Sequence, residues 1–401
     1  MFGKIAAFEF RYQLRQPAFW VIAIIFGLMG FGLVAASENI SIGAGGNVHK
    51  NAPFALASIN SIMSMFFMLA TTAIVANVVV RDVQTGFGPM VQSTRITKFD
   101  YLYGRFTGAF AATALCFLVI SLGVIAATVA PWVDRETIGD FRPWDYLYNY
   151  LVLGLPGVLL TSALFFALAT VTRSMMATYV GVVAVFIAYL AASGTLGSRP
   201  EFETAMAWGE PFGAAAFGLA TKYWTSAERN TLNVPLEGIF LWNRILWLAI
   251  SVGILAAAYA LYRPAVRGAR AGRTDTLRKM AEAAAPVATL NRPLASPTEG
   301  LAAGWTRLAS RTAFEMSLVF KSPAYIILIL LGFAFAVTTL LFMGEIYGAP
   351  VLMVTRMVID GLKGAFGLIA IIVSIYYSGE LVWRDRERKV HEIIDASSTP
   401  D

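Results

Sequence analysis

The stretch Phe19-Trp20-Val21-Ile22-Ala23-Ile24-Ile25-Phe26-Gly27-Leu28-Met29-Gly30-Phe31-Gly32-Leu33-Val34-Ala35-Ala36 carries no charged side chain from end to end. A membrane-spanning helix needs about 20 such residues, because lipid offers the backbone no hydrogen-bond partner and a helix satisfies it internally. Lys4, Arg11 and Arg15 precede the run, and Val34-Ala35-Ala36-Ser37 resembles a small-residue cleavage site. The apolar core of a signal peptide is only about 7 to 15 residues long, however, so the run reads as an uncleaved anchor. Seven further runs repeat the pattern: Ser58 to Val80, Thr107 to Ala130, Leu151 to Val171, Ala177 to Ser193, Leu241 to Leu261, Ala324 to Met343 and Leu362 to Val382. Together they predict an all-α integral membrane protein, a polytopic helix bundle. The composition agrees, with 57% hydrophobic and 14% charged residues, against about 25% charged in a soluble domain.

The charges orient the bundle. Of the 31 Lys and Arg, 22 lie before the first run, in Arg81 to Arg105, at Arg173, in Arg263 to Lys321 and in Arg384 to Lys389. Acids collect in the alternate loops, at Asp134, Glu136, Asp140 and Asp145 and at Glu201, Glu203, Glu210, Glu228 and Glu237. The positive-inside rule then puts the N-terminus in the cytoplasm and assigns the net charge of +6 to cytoplasmic loops rather than to nucleic acid. No Asp, Glu, Lys or Arg falls in the middle of a run, Arg244 and Glu380 lying at the ends. Proton relays and most ion-coupled carriers need such residues, so both become less favoured, while Na⁺ held by carbonyls and hydroxyls stays open.

Little else in the chain carries chemistry. Cys116 is the single cysteine and sits in an apolar run, which excludes a disulfide framework and a thiolate zinc cluster. His391-Glu392-Ile393-Ile394-Asp395 approaches the zinc motif H-E-x-x-H but ends in aspartate, and the other histidine, His49, is far away in sequence, so no metal site is expected. There is no G-x-x-x-x-G-K-[ST] loop to cradle a phosphate, and the chain is expected to be no enzyme and to bind no ATP by that route. Gly361, Gly364 and Gly367 read as helix-packing residues.

The chain also repeats itself. Ala7-Phe8-Glu9 and Arg15-Gln16-Pro17-Ala18-Phe19 return as Ala313-Phe314-Glu315 and Lys321-Ser322-Pro323-Ala324-Tyr325, offset by 306, and Arg81-Asp82 returns as Arg384-Asp385, offset by 303. This divides the chain into a six-span half over 1–262, a polar linker over 263–310 rich in Ala, Arg, Thr and Pro, and the first two spans of a second half over 311–401. The second half stops within the segment matching the loop between spans two and three, so the chain is expected to be the N-terminal part of a longer polypeptide. Each half opens on an amphipathic stretch, with Ile5, Phe8 and Tyr12 on one helical face and Lys4, Arg11 and Arg15 left wet. Pro17 and Pro323 then end it, since proline lacks a donor and disfavours helix at the preceding residue. Such a stretch suits a helix at the membrane surface, with Phe8, Glu9, Tyr12, Phe314 and Glu315 as its marked residues.

The polar segment most suited to a function is Arg81-Asp82-Val83-Gln84-Thr85-Gly86, leading to Gln92-Ser93-Thr94-Arg95-Ile96-Thr97-Lys98 and Tyr103-Gly104-Arg105. Its mixed charges, turn residues and hydroxyls suit short helices projecting from the membrane as a handle. On composition alone a solvated connector fits equally, and the basic clusters suit anionic lipid heads.

At this point the sequence resembles the membrane subunits of type-2 ABC exporters. Their loop between spans two and three reads Arg-Glu or Arg-Asp, Thr-Gly, Ser/Thr-Pro or Ser/Thr-Arg, then Gly-Lys or Gly-Arg, matched here by Arg81-Asp82, Thr85-Gly86, Ser93-Thr94-Arg95 and Gly104-Arg105. In that family the loop docks into a groove on a cytoplasmic ATPase. The resemblance therefore implies a bacterial inner-membrane permease with ATP and magnesium on partner ATPase subunits, and no cofactor of its own. Arg81, Arg95 and Lys98 would be docking charges, Asp82 would pair or cap locally, and Arg384 and Asp385 would open a second coupling loop. The chain is also similar to a bacterial subgroup that fuses two permease halves to a zinc aminopeptidase-like domain, through Asn51-Ala52-Pro53-Phe54, Pro131-Trp132-Val133, Thr172-Arg173-Ser174, Pro211-Phe212-Gly213, Thr221-Lys222-Tyr223-Trp224-Thr225 with Ala227-Glu228, and Leu241-Trp242-Asn243-Arg244. Neither histidine matches a peptidase motif. A homodimer or a fused second half would complete the permease. Two readings of another kind stay open beside it, a membrane anchor or scaffold that transports nothing and an ATP-independent carrier.

Overall fold

The computed structural model describes residues 1–35, 43–44, 46–84, 94–197, 199–262, 301–322, 325–326, 328–329, 332–333, 336–337, 340, 345–346, 349–350 and 354–387. The chain divides into two compact units, Met1–Val266 and Arg267–Asp401.

In the first unit α1 (Phe2–Arg15) stops where Pro17 forces Gln16 into extended backbone, at φ −76° and ψ 129°. The chain then enters α2 (Pro17–Ala35), and the Trp20 indole N–H donates to the Leu14 carbonyl across the joint at 3.0 Å. Next comes a long rod of α3 (Pro53–Thr71), a π-helical turn at Thr72–Ala76 and α4 (Asn77–Gln84). The next helix, α5 (Lys98–Thr128), is started by the Thr97 hydroxyl, which accepts from the Asp100 N–H at 3.1 Å. A second interrupted rod follows, α6 (Pro143–Asn149), a π-turn at Tyr150–Gly154 and α7 (Leu155–Thr172). Arg173 closes α7 in the left-handed conformation at φ 53°, and Ser174 caps α8 (Met175–Leu196) by accepting from the Ala177 N–H. Three short helices, α9 (Glu203–Gly209), α10 (Ala214–Ala220) and α11 (Ser226–Thr231), precede α12 (Gly238–Leu261).

Among the described residues seven helical segments are long and apolar enough to cross a membrane: Pro17–Ala35, Pro53–Asp82, Lys98–Thr128, Pro143–Thr172, Ala177–Gly194, Gly238–Leu261 and Val358–Gly379. The protein is a multi-pass, predominantly α-helical membrane protein. Most of the expected run Ala324 to Met343 lies outside the described residues. Several helices outrun their apolar stretches, α3 starting at Pro53 rather than Ser58 and α5 at Lys98 rather than Thr107. An apolar run marks only the part of a helix that must meet lipid. The helix continues wherever protein groups satisfy its polar side chains.

The core of the first unit is aromatic. Phe26 of α2, Phe67 of α3 and Phe117 of α5 stack edge to face, with ring centroids 4.8 and 5.1 Å apart. Beside them α2 and α5 touch backbone to backbone. A Cβ on Gly123 would lie 2.0 Å from the Gly27 carbonyl oxygen, and one on Gly30 would lie 2.4 Å from that of Ile120. Between apolar helices in lipid, such small-residue contacts supply close van der Waals packing where the hydrophobic effect supplies none.

In the second unit α13 (Leu301–Phe320) and α14 (Thr355–Glu387) flank a segment in which Glu345 and Ile346 pair with Pro350 and Ala349 in a two-residue antiparallel ladder. The Tyr377 hydroxyl donates to Ser322 Oγ at 2.8 Å. Of the glycines expected to pack, a Cβ on Gly364 or Gly367 would meet nothing within 4 Å among the described residues. Replacing Gly123 by Leu should therefore lower stability by about 1 to 3 kcal/mol, the usual cost of overpacking. Gly364→Leu should be neutral or stabilising, because glycine costs about 1 kcal/mol in a helix interior. Thermal unfolding of the two variants in detergent, followed by tryptophan fluorescence, checks both.

Candidate functional site

The polar residues that flank the loop between the second and third spanning helices converge on α1. Sequence periodicity placed Ile5, Phe8 and Tyr12 on the helix's defining face, but the side buried in protein is Glu9 and Gln13, while Phe8 is 59% exposed. Glu9 is fully buried against α5. It fits because α5 presents two glycines there: a Cβ on Gly104 would lie 3.0 Å from Ile5 Cβ, and one on Gly108 would lie 2.4 Å from the Ala6 carbonyl oxygen and 2.8 Å from Glu9 Cβ.

Every bond around Glu9 is charge-assisted or comes from an amide. Its Oε2 accepts from Arg105 Nη1 at 2.6 Å and from Arg81 Nη2 at 2.9 Å, while Oε1 accepts from Gln13 Nε2 at 2.8 Å. Gln13 Nε2 also lies 3.4 Å from the Ile74 carbonyl in the π-turn of the α3–α4 rod. The other fork of Arg105, Nη2, donates to Asp82 Oδ2 at 2.6 Å, and the Tyr101 hydroxyl donates to the same oxygen at 2.6 Å. The Arg81 guanidinium lies 4.0 Å over the Tyr12 ring. Two guanidiniums and two carboxylates thus form a buried, formally neutral cluster joining α1, α4 and α5. Desolvating a lone carboxylate would cost several kcal/mol; here the hydrogen bonds and opposite charges offset that cost, and removing any one charge would expose it. The N-terminal end of α1 is held as well, since the Phe2 N–H donates to Asp100 Oδ1 at 3.1 Å.

The sequence-expected site residues divide between this cluster and the surface. Arg81, Asp82 and Arg105 belong to the cluster. Lys98 rests its ammonium 4.5 Å from the Tyr259 ring centroid and 5.7 Å from that of Tyr262, both near the end of α12. Arg95 is exposed, and Thr85 and Gly86 lie outside the described residues. In the second unit Phe314 is 55% exposed and Glu315 is buried, as their equivalents Phe8 and Glu9 are. Arg384 and Asp385 continue α14, their side chains lying outside the described residues. The sequence reading does not mark Gln13, Tyr101 or Gly108. Glu9 with Gln13, and Gly104 with Gly108, are pairs four residues apart, and that spacing is the signal that could have found two of them.

At the opposite end of the bundle the remaining motif pieces lock loops together. The Asn51 amide exchanges two hydrogen bonds with Gly139, at 2.7 and 2.8 Å, beside a polar cavity of about 300 Å³ lined by His49, Asp140, Arg142, Asp145 and Asn230. Asn243 Nδ2 donates to the carbonyls of Ala207, Trp208 and Glu210 at the end of α9, and Arg244 Nη2 donates to Pro211 O at 3.1 Å. Gly213 is required there: its φ is 86°, and a Cβ would lie 2.7 Å from the Arg244 guanidinium. Thr225 and Glu228 form a capping box on α11, and the Thr225 N–H and hydroxyl hold the Glu228 carboxyl below the usual carboxylate range. Among the described residues no group of three or more His, Cys, Asp or Glu is placed to hold a metal ion.

The chain matches no protein-family model and no curated protein sequence.

In the Glu9 cluster α1 and both helices flanking residues 85–97 are tied through one carboxylate. Arg105→Leu and Glu9→Leu should each cost about 3 to 5 kcal/mol, because each strands buried charge. The double variant should cost less than their sum by about 1 to 3 kcal/mol, the coupling expected of direct partners. A double-mutant cycle from thermal unfolding in detergent measures this, and strict additivity would show that the pair is not coupled.

Proposed function

We propose that the chain is a permease part of an ATP-driven exporter in the bacterial inner membrane, with its N-terminus cytoplasmic and ATP and magnesium bound by separate ATPase subunits. The observation that carries this reading is the buried cluster. Both polar pairs that bound the loop, Arg81-Asp82 and Gly104-Arg105, are clamped to α1 through Glu9, so a pull on the loop would move α1, α4 and α5 together. Rocking such a group against α7, α8 and α12 would open a path first to one side and then to the other. The resemblance of the loop to type-2 exporters supplies the partner. On this reading Arg95, exposed at the tip side of the loop, is the contact charge, while Arg81, Asp82 and Arg105 transmit the movement from within the bundle.

Two measurements test it. With Cys116 buried and silent, Asp140→Cys should react with an impermeant maleimide on intact cells and Arg95→Cys only after the cells are opened; the reverse pattern would invert the topology. For the partner, the chain should co-purify with an ATPase encoded beside it. Arg95→Glu should reduce recovery by up to about fivefold at low salt and less at high salt, since an exposed ion pair is worth about 0 to 1 kcal/mol and is screened. Recovery that is absent for the unmodified chain would favour a scaffold that transports nothing.

A further inference from the structure

The polar cavity of about 300 Å³ at the end of the bundle away from Glu9 is walled by parts of 49–53, 138–145 and 230–231, and every residue lining it is among those described. Its polar groups fall into two sets. The amides are spent on building the walls. Asn51 exchanges two hydrogen bonds with Gly139, while the Asn230 Oδ1 accepts from the His49 N–H at 2.9 Å and its Nδ2 donates to the Asn47 carbonyl at 2.8 Å. The ionisable side chains keep unused capacity. Among the described residues Asp140 and the His49 ring take part in no hydrogen bond or ion pair, and Arg142 makes a single hydrogen bond, from Nη1 to the Thr231 carbonyl at 3.3 Å.

Asp145 carries the argument furthest. It is only 6% exposed, yet among the described residues its carboxylate accepts one hydrogen bond, at Oδ1 from Asn233 Nδ2 at 2.6 Å, and makes no ion pair. Asn233 is held in turn by Asn149 Nδ2, which lies 3.2 Å from Asn233 Oδ1 and 2.8 Å from the Asp145 carbonyl. This relay of neutral amides fixes the carboxylate in place and brings no positive charge to it. A buried carboxylate with one neutral partner keeps much of its desolvation cost until an opposite charge meets it.

We propose that the cavity binds a small molecule with two ammonium groups and one carboxylate, the charge set of a basic amino acid. One ammonium donates to Asp145, whose Oδ2 is unused, and the other to the exposed Asp140. An ammonium offers three donors and no acceptor, which suits carboxylate oxygens that lack partners. The ligand's carboxylate takes the guanidinium N–H groups that Arg142 does not spend on Thr231, a pairing whose geometry is favourably bidentate. Ala52, Pro53 and Ile138 supply an apolar wall for the methylenes between the charges. The volume lies at the small end of the range of about 300 to 1,000 Å³ usual for ligand sites. This inference needs neither an ATPase nor transport, and so goes beyond the exporter reading without resting on it.

The test is isothermal titration of L-lysine into the full chain in nanodiscs of phosphatidylcholine, a lipid without net charge. Saturable binding at one site per chain is expected. Cadaverine, which lacks the carboxylate, and 6-aminohexanoate, which lacks one ammonium, should each bind about tenfold more weakly, the loss of one charge-assisted contact. These comparisons alter the ligand alone, so the folding of the chain does not enter. On the chain side, Asp145→Asn should abolish saturable binding. Asp140→Asn, at an exposed residue with no partner in the fold, should weaken it about tenfold. Cadaverine binding as tightly as lysine would mean that the acidic groups attract any cation. No saturable heat from lysine would mean that the cavity holds only water. Either result overturns the proposal.

Discussion

A carboxylate buried where a membrane protein leaves its lipid must be matched by charge, and the matching residues decide how the helices around it are arranged. Glu9 is that carboxylate. It is completed only when Arg81 at the end of one rod and Arg105 near the start of the next reach it together, with Gln13 and, through Arg105, Asp82 and Tyr101 closing the shell. Such an ion cluster adds little net stability compared with apolar packing, because desolvation nearly cancels attraction. Its value is specificity: any other placement of α1 would strand charge, so α1 has one seat.

The seat also depends on what is absent from α5. Gly104 and Gly108 remove the side chains that would hold α1 away, and further along the same helix Gly123 does the same for α2 at Gly27. Helix α5 therefore serves as a spine, with α1 on its first turns and α2 along its later ones. Short backbone distances make the cluster short as well; the 2.6 Å bond from Arg105 to Glu9 requires α1 to lie this close. Charge and glycine act as one device, which explains why glycine directly precedes the arginine.

The two ends of the first unit are built on different physics. The α1 end is tied by buried charge and by π-turn geometry, where Gln13 reaches a carbonyl at Ile74. At the other end neutral amides and caps hold short helices over the rods: Asn51 on Gly139, Asn243 on the end of α9, and Thr225 with Glu228 on α11. These neutral hydrogen bonds keep loops in register, Asn51 and Gly139 lying 88 residues apart in sequence. The ionic cluster links segments up to 96 residues apart through charges that cannot separate without leaving one of them buried and unpaired.

The sequence by itself determined that this is a helical, multi-pass membrane protein, because uncharged runs of this length have no other stable form in lipid. It also determined the repeat, since Ala7-Phe8-Glu9 and Arg81-Asp82 return in order. It marked Glu9, Arg81, Asp82 and Arg105 as residues to watch without showing that they meet. Periodicity gave Phe8 and Tyr12 the defining face of α1, because apolar spacing is the strongest local signal, yet the protein-facing side is Glu9 and Gln13; a polar stripe is buried only if distant residues supply its partners. Spacing marked Gly361, Gly364 and Gly367, while Gly27, Gly108 and Gly123 are the glycines at which backbones meet in the first unit. Whether a glycine packs depends on which backbone comes to lie opposite it, and whether an arginine is a surface charge or an internal tie depends on where a carboxylate from another helix ends up. Those are questions of three-dimensional proximity, and only the tertiary structure decided them.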